Sequence, residues 1–277
     1  MIQQLKSHIA RIKYQLGRHL ILGSRKYRLR GYLANRFASD FHHEPFMTQV
    51  LERALKKKAG AFIDIGANIG QTLIKVLAID ANRTYVGFEP QIGCCFFINQ
   101  FLIDNALSRA RIIPLALSNS NGILSLYSNN AYDEMASIVG KEQVDGKARR
   151  SVTSVASRIG DEVLEEIEIQ DIAVIKIDVE GAELQVLSGI IKTLRTKRPI
   201  VIFEVLPNFY GHDRTLNDPV SRACNTTTAD ALFKLIVGAG YKISQIDEYG
   251  EEKAIERFDL NDREGFVGSN FIAHPIS

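Results

Sequence analysis

The chain has 277 residues, 45% of them apolar and 24% charged, the proportions of a globular protein with a substantial core. No apolar run approaches the roughly 18 residues a membrane-spanning helix needs, Met1–Leu20 lacks the continuous apolar stretch of a secretory signal, and Cys94, Cys95 and Cys224 fit neither a disulfide framework nor a zinc site. The net charge of +2 hides an asymmetry: residues 1–60 carry 13 Lys/Arg against Asp40, Glu44 and Glu52, a net of +10, and the remainder, with 21 against 29, carries −8.

Sparse cysteine points to a reducing, cytoplasmic setting, with no metal expected. In the basic arm, Ile2, Leu5, Ile9, Ile12, Leu16 and Leu20 recur at spacings of three and four. That spacing predicts an amphipathic helix with Lys6, Arg11, Lys13 and Arg18 off the apolar stripe. Residues 1–59 therefore read as a basic helical extension to a domain spanning 60–277. Such a helix either packs on protein, including a second subunit to give a homo-oligomer, or lies on an anionic membrane, peripheral at its inner face. The arm lacks the aromatic-plus-basic surface pattern that marks base-stacking RNA modules, so no nucleic-acid partner is expected.

From residue 60 strands and helices alternate. Ala61–Ile65 reads as a strand, Leu73, Ile74, Leu77 and Ala78 as one face of a helix, and Tyr85–Phe88 as a second strand. Residues 91–104 read as a helix and Arg111–Leu117 as a third strand. Ile172–Asp178 and Pro199–Val205 are apolar strands flanking a helix near 182–194. Residues 228–239 read as a helix stopped by Gly240. Tyr241–Ile246 and Asn270–His274 close the pattern as an antiparallel pair. This order predicts an α/β fold with a mostly parallel sheet covered on both faces. Residues 128–150 are polar and read as a long loop, a common form of lid.

The strongest local signal is Asp64-Ile65-Gly66-Ala67-Asn68-Ile69-Gly70, which leaves a strand and opens a helix. Glycines there permit a sharp turn and close backbone approach, and free N–H groups at a helix start attract anionic groups. Glu89 ends the next strand, where an acid can accept both hydroxyls of a ribose. Ala67 and Asn68 break the dinucleotide fingerprint, and no phosphate-binding P-loop is present. An acid before the first glycine suits an ammonium rather than a pyrophosphate. Ribose, ammonium and carboxylate together point to S-adenosylmethionine, with Asp64 facing the amino group. A silent Rossmann-like binding domain, a membrane-associated scaffold and a nicotinamide-dependent oxidoreductase are the alternatives.

A second cluster, Lys176-Ile-Asp178-Val-Glu180-Gly-Ala-Glu183, falls at the carboxyl end of the fourth strand. Alternation puts Lys176 and Asp178 on one face, as reactive groups or as an ion pair. Glu183 can serve simply as a first-turn helix acid. A third candidate, Glu204, ends the apolar run Ile200–Phe203, where a carboxylate is costly unless it is used or paired. Asp178, Glu180 and Glu204 can converge to act as a general base, hold a divalent cation with Asn208, or grip sugar hydroxyls. His212 lies on the following loop.

Together, Asp64-x-Gly66-Ala67-Asn68-x-Gly70, Phe88-Glu89-Pro90, Asn99, Asn105, Ala116-Leu117-Ser118, Ile175–Glu183, Arg198-Pro199 and Glu204 resemble the FkbM-type methyltransferases. The resemblance covers roughly residues 60–206 and the closing Ser269–Ala273. It implies a class I, Rossmann-like methyltransferase fold with a mostly parallel seven-stranded sheet and an antiparallel last strand. It also implies O-methylation of a hydroxyl on a sugar, glycolipid, polysaccharide or related metabolite. By motif position, Asp64, Gly66, Asn68 and Gly70 would line the methionine end of the cofactor, Glu89 would bind the ribose, and Ser118 would lie near the adenine. Asp178 would lie near the transferring methyl as first choice of base, with Glu204, Glu180 and Lys176 beside it.

Overall fold

The first described element is a hairpin, His19–Leu22 (β1) paired antiparallel with Arg25–Arg28 (β2). The computed structural model describes residues 19–22, 24–29, 44–129, 133, 136–138, 143–144, 147–148, 151–205, 219–258 and 269–276. The expected stripe from Ile2 to Leu16, and the candidates Asn208 and His212, lie outside the described residues. At its far end the helical expectation needs correction, because Leu20 belongs to a strand. Leu20 and Leu22 are buried while His19 and Ile21 are half-buried, a period of two rather than 3.6. Pro45–Lys57 (α1) follows, with Pro45 in its first turn and Met47, Val50, Leu51, Ala54 and Leu55 buried. These residues share one core with Leu20, Leu22, Tyr27, Phe62, Leu73, Ile74 and Ile272, so the hairpin and α1 both pack into the body of the domain.

Next come Ala61–Ile65 (β3), Gln71–Ile79 (α2), Tyr85–Phe88 (β4), Ile92–Asp104 (α3) and Ala110–Ile113 (β5). The third expected strand is split. Pro114 offers no N–H to a ladder, and beyond it Ala116–Ser118 (β6) joins a second, three-stranded sheet. That sheet is completed by Gly122–Ser128 (β7) and Ser151–Ile159 (β10), and between these lies a short pair, Gln143–Val144 (β8) and Lys147–Ala148 (β9). The region expected to be one loop therefore begins in β7, contains β8 and β9, and is followed by β10.

Gly160–Glu166 (α4) leads to Ile172–Ile177 (β11). The single helix expected near 182–194 is two, Glu183–Gly189 (α5) and Ile191–Lys197 (α6). Ile200–Glu204 (β12) follows; then Pro219–Gly238 (α7), nine residues longer at its start than its periodicity suggested, Tyr241–Ile246 (β13), Glu252–Ala254 (β14) and Asn270–Pro275 (β15). Among the described residues no helix is long and apolar enough to cross a membrane.

Among the described residues the large sheet has eight strands, in the order β14-β13-β15-β12-β11-β3-β4-β5. The short edge strand β14 accounts for the one beyond the expected seven. β12, β11, β3, β4 and β5 run parallel, and β15 inserts antiparallel between β12 and β13. Alternation sorts the strand side chains onto two cores. Phe62, Tyr85, Val174, Ile202 and Ile272 face α1, α2 and α3, and Ile63, Ile65, Ile175, Ile177 and Phe203 face α5 and α7. Strand order reverses between β3 and β11, where an open α/β sheet leaves a crevice at its carboxyl edge.

Candidate active site

A cavity of about 360 Å³ occupies that crevice. Gly66, Ala67 and Asn68 form its floor, with Glu89 and Gln91 to one side and Lys176, Asp178, Glu180 and Glu204 to the other. The glycine turn is required by its neighbours. Gly66 adopts φ +89°, and a Cβ there would sit 1.8 Å from the Asp178 carbonyl oxygen. The Asp178 N–H in turn donates to the Ile65 carbonyl at 2.9 Å, so the ends of β3 and β11 are locked together.

Glu89 is 3% exposed. Its Oε2 accepts the Asn68 N–H at 2.8 Å and its Oε1 accepts the Gln91 N–H at 2.7 Å. Burial pushes this carboxyl up from 4.5 to about 7, although both backbone donors favour the ionised form. The Gln91 amide exchanges two hydrogen bonds with the Asp133 backbone, and Asn68 Nδ2 donates to the same carbonyl at 3.3 Å. Ser137 Oγ donates to the Glu180 carbonyl at 2.7 Å, and Ala136 and Ile138 line the cavity. The segment expected to be a lid is thus stitched to both ends of the site.

Opposite Glu89, the carboxylates of Asp178, Glu180 and Glu204 place one oxygen each within 4.8 Å of one another. Lys176 Nζ bonds Asp178 Oδ2 at 2.7 Å, the ion pair that the strand alternation allowed. Burial pulls the Lys176 ammonium down, but Asp178, Asp64 and Glu44 more than offset this and hold it charged. Glu204 Oε1 accepts from Ser269 Oγ at 2.6 Å, and burial followed by the neighbouring Asp178 charge raises Glu204 to about 8. Glu180 and Gly181 take left-handed backbone, at φ +56° and +104°. The Gly181 N–H donates to Glu183 Oε1 at 3.1 Å, so the buried Glu183 shapes this turn as a helix-start acid. The three carboxylates are an oxygen set of the kind a hard divalent cation takes; Lys176 already supplies Asp178 with a cation.

Three of the expected cofactor residues lie behind the cavity wall instead of lining it. Asp64 shares a strand face with Phe62 and stands beside Lys176 in register, beneath α2. It is fully buried, accepts from Tyr85 OH at 2.5 Å, and among the described residues its other oxygen has no hydrogen-bond partner. Burial raises it to about 6, opposed by Lys176 and Tyr85. Gly70 starts α2 at φ +93°, donating to the Ala67 carbonyl at 2.8 Å. Ser118 ends β6, where a Cβ on Gly189 would meet its carbonyl at 1.9 Å; its neighbours Ala116 and Leu117 line the cavity in its place.

Glu44 also lines the cavity, from the segment preceding α1. Its backbone is left-handed at φ +50°, and its Oε1 accepts from Asn270 Nδ2 at 3.1 Å. No local pattern marked it, because its partner lies 226 residues away. Gln91, Gln71, Thr72, Leu126 and Ile138 line the cavity too and were equally silent in the sequence.

The sequence profile of the Methyltransferase FkbM domain matches residues 64–243, more than half of the chain. The chain belongs to the FkbM methyltransferase family. Over 189 residues this FkbM-family protein is 27% identical to the methyltransferase sdnD of Sordaria araneosa, covering 59% of its own length and 73% of that protein's. It is similar to a crystal structure of the methyltransferase FkbM of Methylobacillus flagellatus KT at 14% identity and a TM-score of 0.42. The match covers 78% of this chain and 44% of that one. An O-methyltransferase of Bacillus cereus, solved in complex with SAH, is similar at 12% identity and a TM-score of 0.47, with 88% of each chain covered.

Proposed function

We propose that this FkbM-family protein transfers a methyl group from S-adenosylmethionine to a hydroxyl of a sugar, glycolipid, polysaccharide or related metabolite. One observation carries the reading. A single cavity at the strand-order reversal holds a buried acid suited to a ribose at one end and three converging carboxylates at the other.

The residues fit the cofactor. Glu89 offers carboxylate oxygens to ribose hydroxyls from a position fixed by Asn68 and Gln91. The left-handed turn at Gly66 and Asn68 brings backbone close to a ligand. When bound, S-adenosylmethionine supplies an activated methyl group on a sulfonium. The chain has to orient the acceptor oxygen and receive its proton. Positioning of this kind can lower a barrier by roughly 7–11 kcal/mol. Asp178, paired with Lys176, holds the acceptor, while Glu204, raised to about 8, takes the hydroxyl proton once it is ionised, so the reaction should gain as pH rises through about 8. Glu180 and Glu44 offer further oxygens to a polyhydroxylated acceptor.

The test begins with calorimetric titration of the chain with S-adenosylmethionine, using NAD as the comparison ligand. Release of S-adenosylhomocysteine is then followed across sugars, glycolipids and metabolite alcohols. Saturable binding of S-adenosylmethionine and a hydroxyl-methylated product, lost in Asp178→Asn or Glu204→Gln, is the expected result. Binding of NAD alone, or a product methylated on nitrogen or carbon, would overturn the proposal.

A further inference from the structure

The outer face of α3 is not explained by the methyl-transfer site. Ile92, Phe96 and Ile103 are 72%, 63% and 63% exposed. Their spacings of four and seven place them on one stripe, about 16 Å long at 1.5 Å per residue. The opposite face, with Cys94, Ile98, Phe101 and Leu102, is buried in the domain. A surface helix normally sets a charged face against its buried stripe. This one has no Lys, Arg or Glu, and Asp104 is its only charge. Single exposed apolar residues are ordinary, but an aligned set marks a surface that something covers.

The second observation is the charge beside it. The Arg28 N–H donates to Asn105 Oδ1 at 2.6 Å and Asn105 Nδ2 donates back to the Arg28 carbonyl at 2.9 Å. The Tyr27 and Phe101 rings lie 6.0 Å apart. These contacts fix the β1–β2 hairpin at the C-terminal end of α3. There the hairpin exposes Arg25, Lys26 and Arg28, in a stretch of chain carrying a net +10 over residues 1–60. We propose that the outer stripe of α3 and the basic hairpin form one docking surface for an anionic lipid membrane.

Aromatic and aliphatic side chains flanked by Lys and Arg are what a headgroup boundary takes: the apolar groups enter the acyl edge and the cations meet anionic headgroups. A second copy of the chain is the weaker occupant. Three side chains on one helix fall well short of the roughly 800 Å² per partner that a standard interface buries. The stripe begins next to Gln91, which lines the cavity, so a docked membrane lies close to the cavity rim. The surface does not depend on the proposed reaction, and its test needs no acceptor.

The test is flotation of the full chain with vesicles of phosphatidylcholine alone and of phosphatidylcholine mixed with phosphatidylglycerol. The wild-type chain is expected to float with the mixed vesicles only and to be released by salt. Phe96→Ser with Ile103→Ser, and separately Lys26→Glu with Arg28→Glu, should each cut the bound fraction about tenfold, as expected when apolar and electrostatic contacts act together. Thermal melting like wild type certifies that each variant is folded, and the two pairs lie on separate elements so that one can stand in for the other. No flotation, or equal flotation with both vesicle types, overturns the proposal. Undiminished flotation of both variants also overturns it. Light scattering that shows a dimer dissociated by the α3 substitutions assigns the face to a second copy instead.

Discussion

Substituting Glu89→Gln separates the two tasks of that side chain. In the ligand-free chain both carboxylate oxygens accept backbone N–H groups. An amide preserves the shape but turns one acceptor into a donor facing a donor. Leaving a buried N–H unpaired costs about 1–3 kcal/mol. Against that, a carboxyl raised from 4.5 to about 7 is held charged above pH 7 at a cost of roughly 3 kcal/mol, at about 1.4 kcal/mol per pH unit. The amide carries no such cost, so at pH 8 the two changes nearly offset and stability should move by less than about 2 kcal/mol. Cofactor binding has no such compensation. Two charge-assisted bonds to ribose hydroxyls, at about 1.5 kcal/mol or more each, are lost or weakened. The dissociation constant for S-adenosylmethionine should therefore rise roughly 100-fold while the melting temperature shifts only a few degrees. Calorimetry and thermal melting at pH 8 measure both. A variant that binds within threefold of wild type, or unfolds without any change in affinity, would refute this assignment of Glu89.

The ligand-free chain should lose stability as pH rises from about 4.5 to 8. Asp64, Glu89 and Glu204 are raised to about 6, 7 and 8, so the folded state binds more protons than the unfolded state in that window. Lys75, lowered to about 8 by burial, acts in the opposite direction only above that pH. Melting temperatures that climb steadily between pH 5 and 8 would contradict the buried-carboxyl account. Lys176→Met removes the cation beside Asp64 and Asp178 and should cost about 3 kcal/mol at pH 8 but less at pH 5, where Asp64 takes a proton. Urea titrations giving equal losses at the two pH values would count against that linkage. Gly66→Ala should weaken S-adenosylmethionine at least tenfold, since its Cβ would meet the Asp178 carbonyl at 1.8 Å and force the β11 end to move. Gly122→Ala, whose Cβ would meet no atom of the described residues within 4 Å, is the control and should change stability by less than about 0.5 kcal/mol.

The order of parallel strands, the glycine turn, Glu89 and the meeting of Asp178, Glu180 and Glu204 were legible because each follows from local pattern plus the strand order that pattern implies. Asp64 was legible as a site-adjacent acid but not in its direction. Its face is set by alternation with Phe62, and its partners Tyr85 and Lys176 come from the two flanking strands. Ser118 sits one residue past the cavity-lining Ala116 and Leu117 because Pro114 diverts the chain into a second sheet, a break invisible to a hydrophobic count over 111–117. Glu44, Asp133 and the β1–β2 hairpin were silent for one reason: each is placed by partners distant in sequence. The acid-free stretch before Asp40 read as a helical extension outside the domain, yet Leu20, Leu22 and Tyr27 belong to a hairpin and are core residues.

The position of β15 carries a kinetic consequence. It is the last of the sheet's strands in chain order, yet it lies inside the sheet, between β12 and β13. The apolar edge of Ile200–Glu204 therefore stays open until all the other strands have been made, and open apolar edges invite wrong pairing. Ser269 and Asn270, which hold Glu204 and Glu44, arrive with the same strand. Synthesis can thus lay down Glu89 and all three carboxylates before the partners that fix Glu204 and Glu44 exist. The slow step of folding should be the closing of a gap by its middle piece, and methyl-acceptor recognition should mature only with that closure.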